Sequence, residues 1–84
     1  MELELKQVID GVWRTDAVDT RRMVVQVLGT CTARVMMSLD GEAYSLRRAM
    51  SVVGSSIALL DLPEGGKAYF EVNGKNQPVI KILQ

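Results

Sequence analysis

The side chains that could perform acid–base chemistry are the ten Asp and Glu carboxylates, because the chain has no histidine and a single cysteine. Without histidine, neither a Ser-His-Asp nor a Cys-His nucleophile pair can form, and the usual structural zinc sites cannot be built within one chain. Carboxylate catalysis needs two acids in one pocket. Most acids here stand at turn positions or at alternating exposed positions, where turn or solvated roles explain them. We therefore expect no catalytic residue, no cofactor and no enzymatic activity.

Two further motifs could bind an ion or a phosphate. Asp16 and Asp19 could contribute to a calcium site, but calcium takes about six oxygen ligands and this spacing matches no common calcium loop. Gly65-Gly66 is followed by Lys67, yet the Ser or Thr and the helix of a phosphate-binding loop are missing. A solvated loop is the interpretation that we favour for the first motif, and a turn for the second. We expect no metal site.

Five residues are instead candidates for contact with another protein: Trp13, Arg14, Arg21, Arg22 and Met36. A lone Trp is either a core residue or an anchor in an interface, and the sequence leaves both open. Paired arginines can hold an acidic surface. Met36 is the one large apolar residue on an otherwise polar strand face, which indicates a protein contact.

Nucleic acid is not the partner that these residues predict. The 10 basic and 10 acidic side chains give a net charge of zero, whereas phosphate binding depends on clustered positive charge. Only four aromatic residues are present for base stacking. No apolar run reaches the roughly 20 residues of a membrane span, and the N-terminus lacks a signal-peptide pattern. We expect neither nucleic acid nor a membrane as a direct partner.

Alternating apolar and polar side chains predict β-strands as the elements that position these candidates. The apolar face of residues 21–28 would carry Met23, Val25 and Val27. The apolar face of residues 30–39 would carry Cys31, Ala33, Val35, Met37 and Leu39. Cys31 is thereby predicted to be a buried, inert thiol. Gly29-Thr30 and Asp40-Gly41 read as tight hairpin turns, so residues 21–47 predict a three-stranded meander.

Four more strands are predicted at 2–9, 56–62, 67–72 and 78–83. The stretch 47–53 is ambiguous, because its apolar residues have helical spacing but Gly54 follows at once; we interpret it as a connector between sheets. Short strands separated by turn signals are typical of a sandwich or barrel. The prediction is one all-β domain over residues 1–84, a compact antiparallel β-sandwich or small barrel of about seven short strands.

The order of several motifs in the middle of the chain resembles a known family. These are Val25-Gln26-Val27-Leu28-Gly29-Thr30, then Ala33-Arg34-Val35, then Ser38-Leu39-Asp40-Gly41 with Tyr44, then Leu62-Pro63-Glu64-Gly65-Gly66 with Tyr69. The order is similar to that in the small β-sandwich structural proteins of tailed bacteriophages. There a Gly-Thr turn leads into a Ser-x-Asp-Gly hairpin, and a Leu-Pro-x-Gly turn precedes the last hairpin.

The resemblance implies a role in assembly. Such proteins decorate or cement a capsid, or are modules of tails and fibres, and they commonly act as symmetric oligomers, often trimers. The expectation is a virion structural protein that bridges coat subunits, with the major capsid protein or other virion proteins as partners and a homo-oligomeric state. The alternative is a tail or fibre module that binds protein or carbohydrate, with Trp13, Tyr44 and Tyr69 as stacking faces.

Overall fold

Ten β-strands in two antiparallel sheets make up the regular structure in a computed structural model that describes residues 1–84. The strands are β1 (Glu2–Leu3), β2 (Lys6–Ile9), β3 (Val12–Arg14), β4 (Val18–Asp19), β5 (Arg22–Leu28), β6 (Cys31–Ser38), β7 (Ser45–Val52), β8 (Ser55–Asp61), β9 (Lys67–Asn73) and β10 (Val79–Leu83). The all-β prediction is confirmed, with ten strands rather than seven. The chain contains no helix that could cross a membrane.

The four-stranded sheet has the order β1-β10-β5-β8, and the six-stranded sheet has the order β2-β3-β9-β6-β7 with β4 also paired to β9. Strands β5 and β6 are consecutive but belong to different sheets, as do β7 and β8. The predicted meander is therefore wrong at its first turn: Gly29-Thr30 joins the two sheets, whereas β6 and β7 do form a hairpin. The stretch 47–53, predicted as a connector, lies mostly in β7.

A single long ribbon that folds back on itself explains this topology. Leu28 lies opposite Ser55 in the four-stranded sheet, and Cys31 lies opposite Val52 in the six-stranded sheet. The register is thus continuous from the β5–β8 pair into the β6–β7 pair. Between the two pairs both strands bend together, and the Gly29 amide donates a hydrogen bond to the Gly54 carbonyl oxygen at 2.7 Å. The two halves of the ribbon then pack face to face.

The inner faces of the two sheets form one hydrophobic core. Met23, Val25 and Val27 are each 1% exposed, as their alternation predicts. Cys31, Ala33 and Val35 are also buried, but Leu39 is 83% exposed because the strand ends at Ser38. The core residues are Trp13, Met23, Val25, Val27, Cys31, Ala33, Val35, Val52, Leu60, Leu62, Ala68, Phe70, Val72, Ile80 and Ile82.

Two buried threonines attach the segment that includes β4 to strand β9 and to the loop that precedes it. The Thr15 hydroxyl accepts a hydrogen bond from the Phe70 amide at 3.0 Å, while the Thr15 amide donates to the Phe70 carbonyl oxygen. The Thr20 hydroxyl donates to the Pro63 carbonyl oxygen at 2.5 Å and accepts from the Gly66 amide at 2.9 Å. The predicted strand 2–9 is divided between β1 and β2, which lie in different sheets.

Candidate functional site

The structure separates the five candidate contact residues into three places. Trp13 is 7% exposed and packs in the core, which corrects its assignment as an interface residue. It lies on β3 opposite Val72 of β9, so its ring points to the inner face of the sheet. Arg14, the next residue, is exposed on the outer face because successive strand residues point to opposite faces.

Arg14 and Met36 lie on the same outer face of the six-stranded sheet, joined there by Tyr69. Met36 of β6 is directly opposite Tyr69 of β9, and the Arg14 guanidinium lies over the Tyr69 ring at 5.6 Å from its centroid. This is the geometry of a cation–π contact. Met36 was selected as an apolar residue on an otherwise polar strand face. It therefore has a neighbour in Tyr69 on the adjacent strand, and it is half-buried.

Glu71 fixes the position of Arg14. Their side chains form an ion pair, with 2.6 Å between Arg14 Nε and Glu71 Oε2, and the Glu71 side chain is 18% exposed. The hydrogen bond from Arg14 to Glu71 raises the pKa of the guanidinium. Because Arg14 is held by Glu71 and by the Tyr69 ring, it would lose less conformational entropy on binding than a free surface arginine.

Tyr44 extends this cluster from the loop between β6 and β7. Its ring meets Tyr69 edge to face, with 4.9 Å between centroids and 63° between planes. The loop is held by Ser38 and Asp40: the Ser38 hydroxyl donates to Asp40 Oδ1 at 2.7 Å and accepts from the Gly41 amide at 2.9 Å. The loop that follows β6 is thereby folded back toward the outer face of the sheet.

The carboxylate of Asp40 accepts two main-chain hydrogen bonds in addition to the one from Ser38. The donors are the amides of Glu42 at 2.8 Å and Ala43 at 3.1 Å. The hydrogen bond from Glu42, followed by those from Ser38 and Ala43, lowers the pKa of Asp40 to about 2. Asp40 therefore acts as a turn residue that precedes Tyr44, which is the role that the sequence predicted for it.

Arg34 is a charged residue of this face that forms no ion pair. It lies on β6 directly opposite Glu71, but Glu71 is paired with Arg14 and no carboxylate lies within 4.0 Å of the Arg34 guanidinium. Arg34 is half-buried on β6, which lies between β9 and the edge strand β7. We define the tyrosine–arginine patch as Arg14, Arg34, Met36, Tyr44, Tyr69 and Glu71.

Arg21 and Arg22 lie away from the tyrosine–arginine patch. Arg22 is exposed on β5 opposite Asp61 of the four-stranded sheet. Arg21 precedes it and lines a polar cleft of about 440 Å³ with Asp19, Thr20 and residues 64–67. The five candidates therefore do not form one site. Arg14 and Met36 share a surface, while the arginine pair belongs to a different part of the molecule.

The two acids of the calcium hypothesis are each paired with a lysine. Asp16 bonds to Lys6 at 3.3 Å, and Asp19 bonds to Lys67, which lowers the pKa of Asp19. No group of three Cys, Asp or Glu side chains is close enough to hold a metal ion. Cys31 is buried, and burial raises the pKa of its thiol.

The largest cleft lies at another place, at the end of the sandwich next to the bend of the ribbon. It has a volume of about 610 Å³, and small and polar side chains form most of its wall. Asn73 lines it, and the Oδ1 atom of Asn73 is buried without a hydrogen-bond partner. None of the residues selected from the sequence for protein contact lines this cleft.

Four residues of the tyrosine–arginine patch were not selected from the sequence for protein contact: Arg34, Tyr44, Tyr69 and Glu71. Of these, Tyr44 and Tyr69 were considered only for sugar stacking. The signal was the polar alternation of β6 and β9, which places these side chains on the outer faces. That β6 and β9 are neighbours is not visible in the local pattern. Comparison of the chain with protein-family models, curated proteins and solved structures finds no significant match.

Proposed function

We propose that this chain is a non-enzymatic structural protein that binds a neighbouring protein subunit through the tyrosine–arginine patch. The observation that carries the proposal is the half-buried Arg34, which forms no ion pair although it lies on a face that already holds two tyrosines and a methionine. Tyr, Arg and Met are enriched at protein interfaces, and arginines and tyrosines dominate their binding energy. The partner would supply an acidic side chain to Arg34.

The biological setting that we propose is a virion, in which the chain cements or decorates the capsid by bridging coat subunits. The support for this setting is the resemblance of the motif order in roughly residues 21–72 to tailed-phage β-sandwich proteins. A stiff two-sheet domain with a pre-packed outer face suits such a bridge, since little side-chain entropy is lost on binding. Repetition of identical contacts over a shell would then give a high avidity from individually modest contacts.

The test is binding to coat-protein shells that lack this protein, measured by co-sedimentation over a range of concentrations. Arg34→Glu should weaken binding at least about tenfold, because it reverses the charge that the partner's acid would meet. Lys75→Glu is the matched control, since Lys75 is an exposed cation in the loop between β9 and β10, and it should bind like the wild type. Equal losses in both variants, or no binding by the wild-type chain, would refute the proposal.

A second candidate function is a tail or fibre module that binds carbohydrate, which the Tyr44–Tyr69 pair favours. One ring face of Tyr69 is occupied by Arg14, so the pair offers less open aromatic surface than a sugar platform uses, and we place protein binding first. A glycan array would separate the two functions. Hits that disappear in Tyr44→Ala and persist in Arg34→Glu would favour carbohydrate.

A further inference from the structure

The edges of the two sheets are protected unequally against pairing with another chain. A bulge or a charged residue on an edge strand discourages such pairing, and so does a short strand. β1 has only two residues. β2 has a register shift between Gln7 and Ile9, and β7 carries the Arg47-Arg48 pair beside a register shift opposite Val35 and Met36.

β8 has none of these features. It pairs with β5 over all seven residues without a register shift. Its sequence, Ser55-Ser56-Ile57-Ala58-Leu59-Leu60-Asp61, contains no proline and no charge before its last residue. At about 3.3 Å per residue the strand is roughly 23 Å long. The residues of β8 itself thus do not protect this edge of the four-stranded sheet.

Apolar side chains accompany this edge on the outer face of the sheet. Ile57 is 67% exposed and Leu59 is 49% exposed. Leu59 lies opposite Val24 of β5, and Val24 in turn lies opposite Leu83 of β10. Leu83 is itself 71% exposed. An exposed apolar row of this kind is typical of an interaction surface.

One hydrogen bond shows which main-chain groups face outward from β8. The Arg48 guanidinium donates to the Leu59 carbonyl oxygen at 3.3 Å from the edge of the other sheet, so that oxygen points away from β5. Because alternate residues of an antiparallel strand direct their N–H and C=O groups to the same side, those of Ile57 point outward as well. The main-chain N–H and C=O groups of Ala58, which lies between Ile57 and Leu59, point toward β5.

We propose that β8 pairs antiparallel with β8 of a second copy of this chain, about a two-fold axis at Ala58. The result is a symmetric dimer in which two four-stranded sheets become one continuous sheet. In this register Ile57 lies opposite the partner's Leu59, so two exposed apolar residues meet on the outer face, and each pair exchanges two main-chain hydrogen bonds. These main-chain hydrogen bonds would replace the single hydrogen bond of 3.3 Å from Arg48 to the Leu59 carbonyl oxygen.

No repulsion between charges opposes the pairing of β8 with a second copy in this register. The central residues of β8 are uncharged, so no like charges face each other across the axis. At the ends of the strand, Ser55 lies opposite the partner's Asp61, where its hydroxyl can donate to the carboxylate. The strand is therefore complementary to itself, as an isologous interface must be.

The first test is the mass of the protein in solution, measured by analytical ultracentrifugation from about 1 to 100 µM, the range of modest association constants. The wild type should reach the dimer mass. Leu59→Lys, which places a charge on the edge, should raise the dimer dissociation constant at least about tenfold. Leu39→Lys, at a residue 83% exposed in the β6–β7 loop, should leave it unchanged. A trimer, a monomer throughout, or equal effects of both substitutions would overturn the proposal.

The second test is specific for the register. In a non-hydrogen-bonded antiparallel pair the Cα atoms are about 4.5 Å apart, within the range that a disulfide spans. Mild oxidation should therefore cross-link Ala58→Cys dimers. In Ser55→Cys the two cysteines would be roughly 20 Å apart across the axis and should not cross-link.

The reverse pattern would overturn the register. The wild type, with only the buried Cys31, controls for the native thiol. Both tests use the chain alone, so failure of the dimer would leave the binding of coat protein by the tyrosine–arginine patch to be decided by its own experiment.

Discussion

Single residues in this chain take their roles from the strand face on which they lie. Trp13 and Arg14 are adjacent, yet Trp13 is in the core and Arg14 contacts Tyr69 on the outer face. Arg14 forms an ion pair with Glu71. Arg34 lies on β6 opposite the same acid but forms no ion pair. A local pattern identifies which side chains share a face, but the neighbours on the next strand decide whether a charge is compensated.

Asp40 gives a residue-scale prediction for pH. Its pKa in the folded protein is about 2, below the value of about 3.9 of an unfolded chain. Its carboxylate therefore contributes stability that is complete above about pH 4 and is lost as the pH falls through about 2. Asp40→Ala should lower the Tm at pH 7, and the difference from wild type should shrink between pH 4 and pH 2, as measured by thermal unfolding.

Glu64→Ala is the control for Asp40→Ala. Glu64 is an exposed acid in the loop between β8 and β9 and forms no ion pair, so its removal should change the Tm little at any of these pH values. A deficit of Asp40→Ala that stays constant from pH 7 to pH 2 would contradict the role of its ionised form in the turn.

At the scale of elements, the bend of the ribbon determines the architecture. The sheet-to-sheet connections β5–β6 and β7–β8 lie side by side, and a glycine stands at each of them. Gly29 has a φ of 127° and Gly54 a φ of 78°, conformations that residues with a Cβ atom adopt at a cost. Both strands of the ribbon can therefore bend at the same position along its length. The ribbon then contributes one pair of neighbouring strands to each sheet.

Substitution of these two glycines should give unequal losses. Gly54→Ala should cost about 1–2 kcal/mol from backbone strain alone, because a Cβ atom at this position would meet nothing within 4 Å. Gly29→Ala should cost more, since its Cβ atom would also lie 3.1 Å from Pro78 Cβ. Urea denaturation measures the free energy of unfolding of both variants. A larger loss for Gly54→Ala than for Gly29→Ala would show that contact with Pro78 does not constrain the bend at Gly29.

At the scale of the whole molecule, both sheets depend on one shared core. Trp13 is the only tryptophan, and it joins short β3 to that core. The outer face of the six-stranded sheet and the edge strand β8 lie on different sheets. The proposed binding of a coat subunit through the tyrosine–arginine patch and the proposed pairing of two copies through β8 would therefore use separate surfaces, so one molecule could do both at once.

Trp13→Ala should lower the free energy of unfolding by about 3–5 kcal/mol, as expected for loss of a large buried side chain. Arg14→Ala, one residue away, should cost less than about 1 kcal/mol, since a largely exposed ion pair contributes little. Chemical denaturation followed by far-UV circular dichroism measures both. Similar losses in the two variants would place Trp13 outside the core.

The amino-acid sequence by itself determined the all-β class and the inward faces of β5 and most of β6, because side chains alternate with a period of two in any extended strand. It also determined the turn role of Asp40, which depends on local hydrogen bonds. Only the tertiary structure decided that Gly29-Thr30 joins two sheets, that residues 47–52 belong to a long strand, and that Tyr69 lies between Arg14 and Met36. Those relations join residues far apart along the chain, and the packing of the whole core selects them.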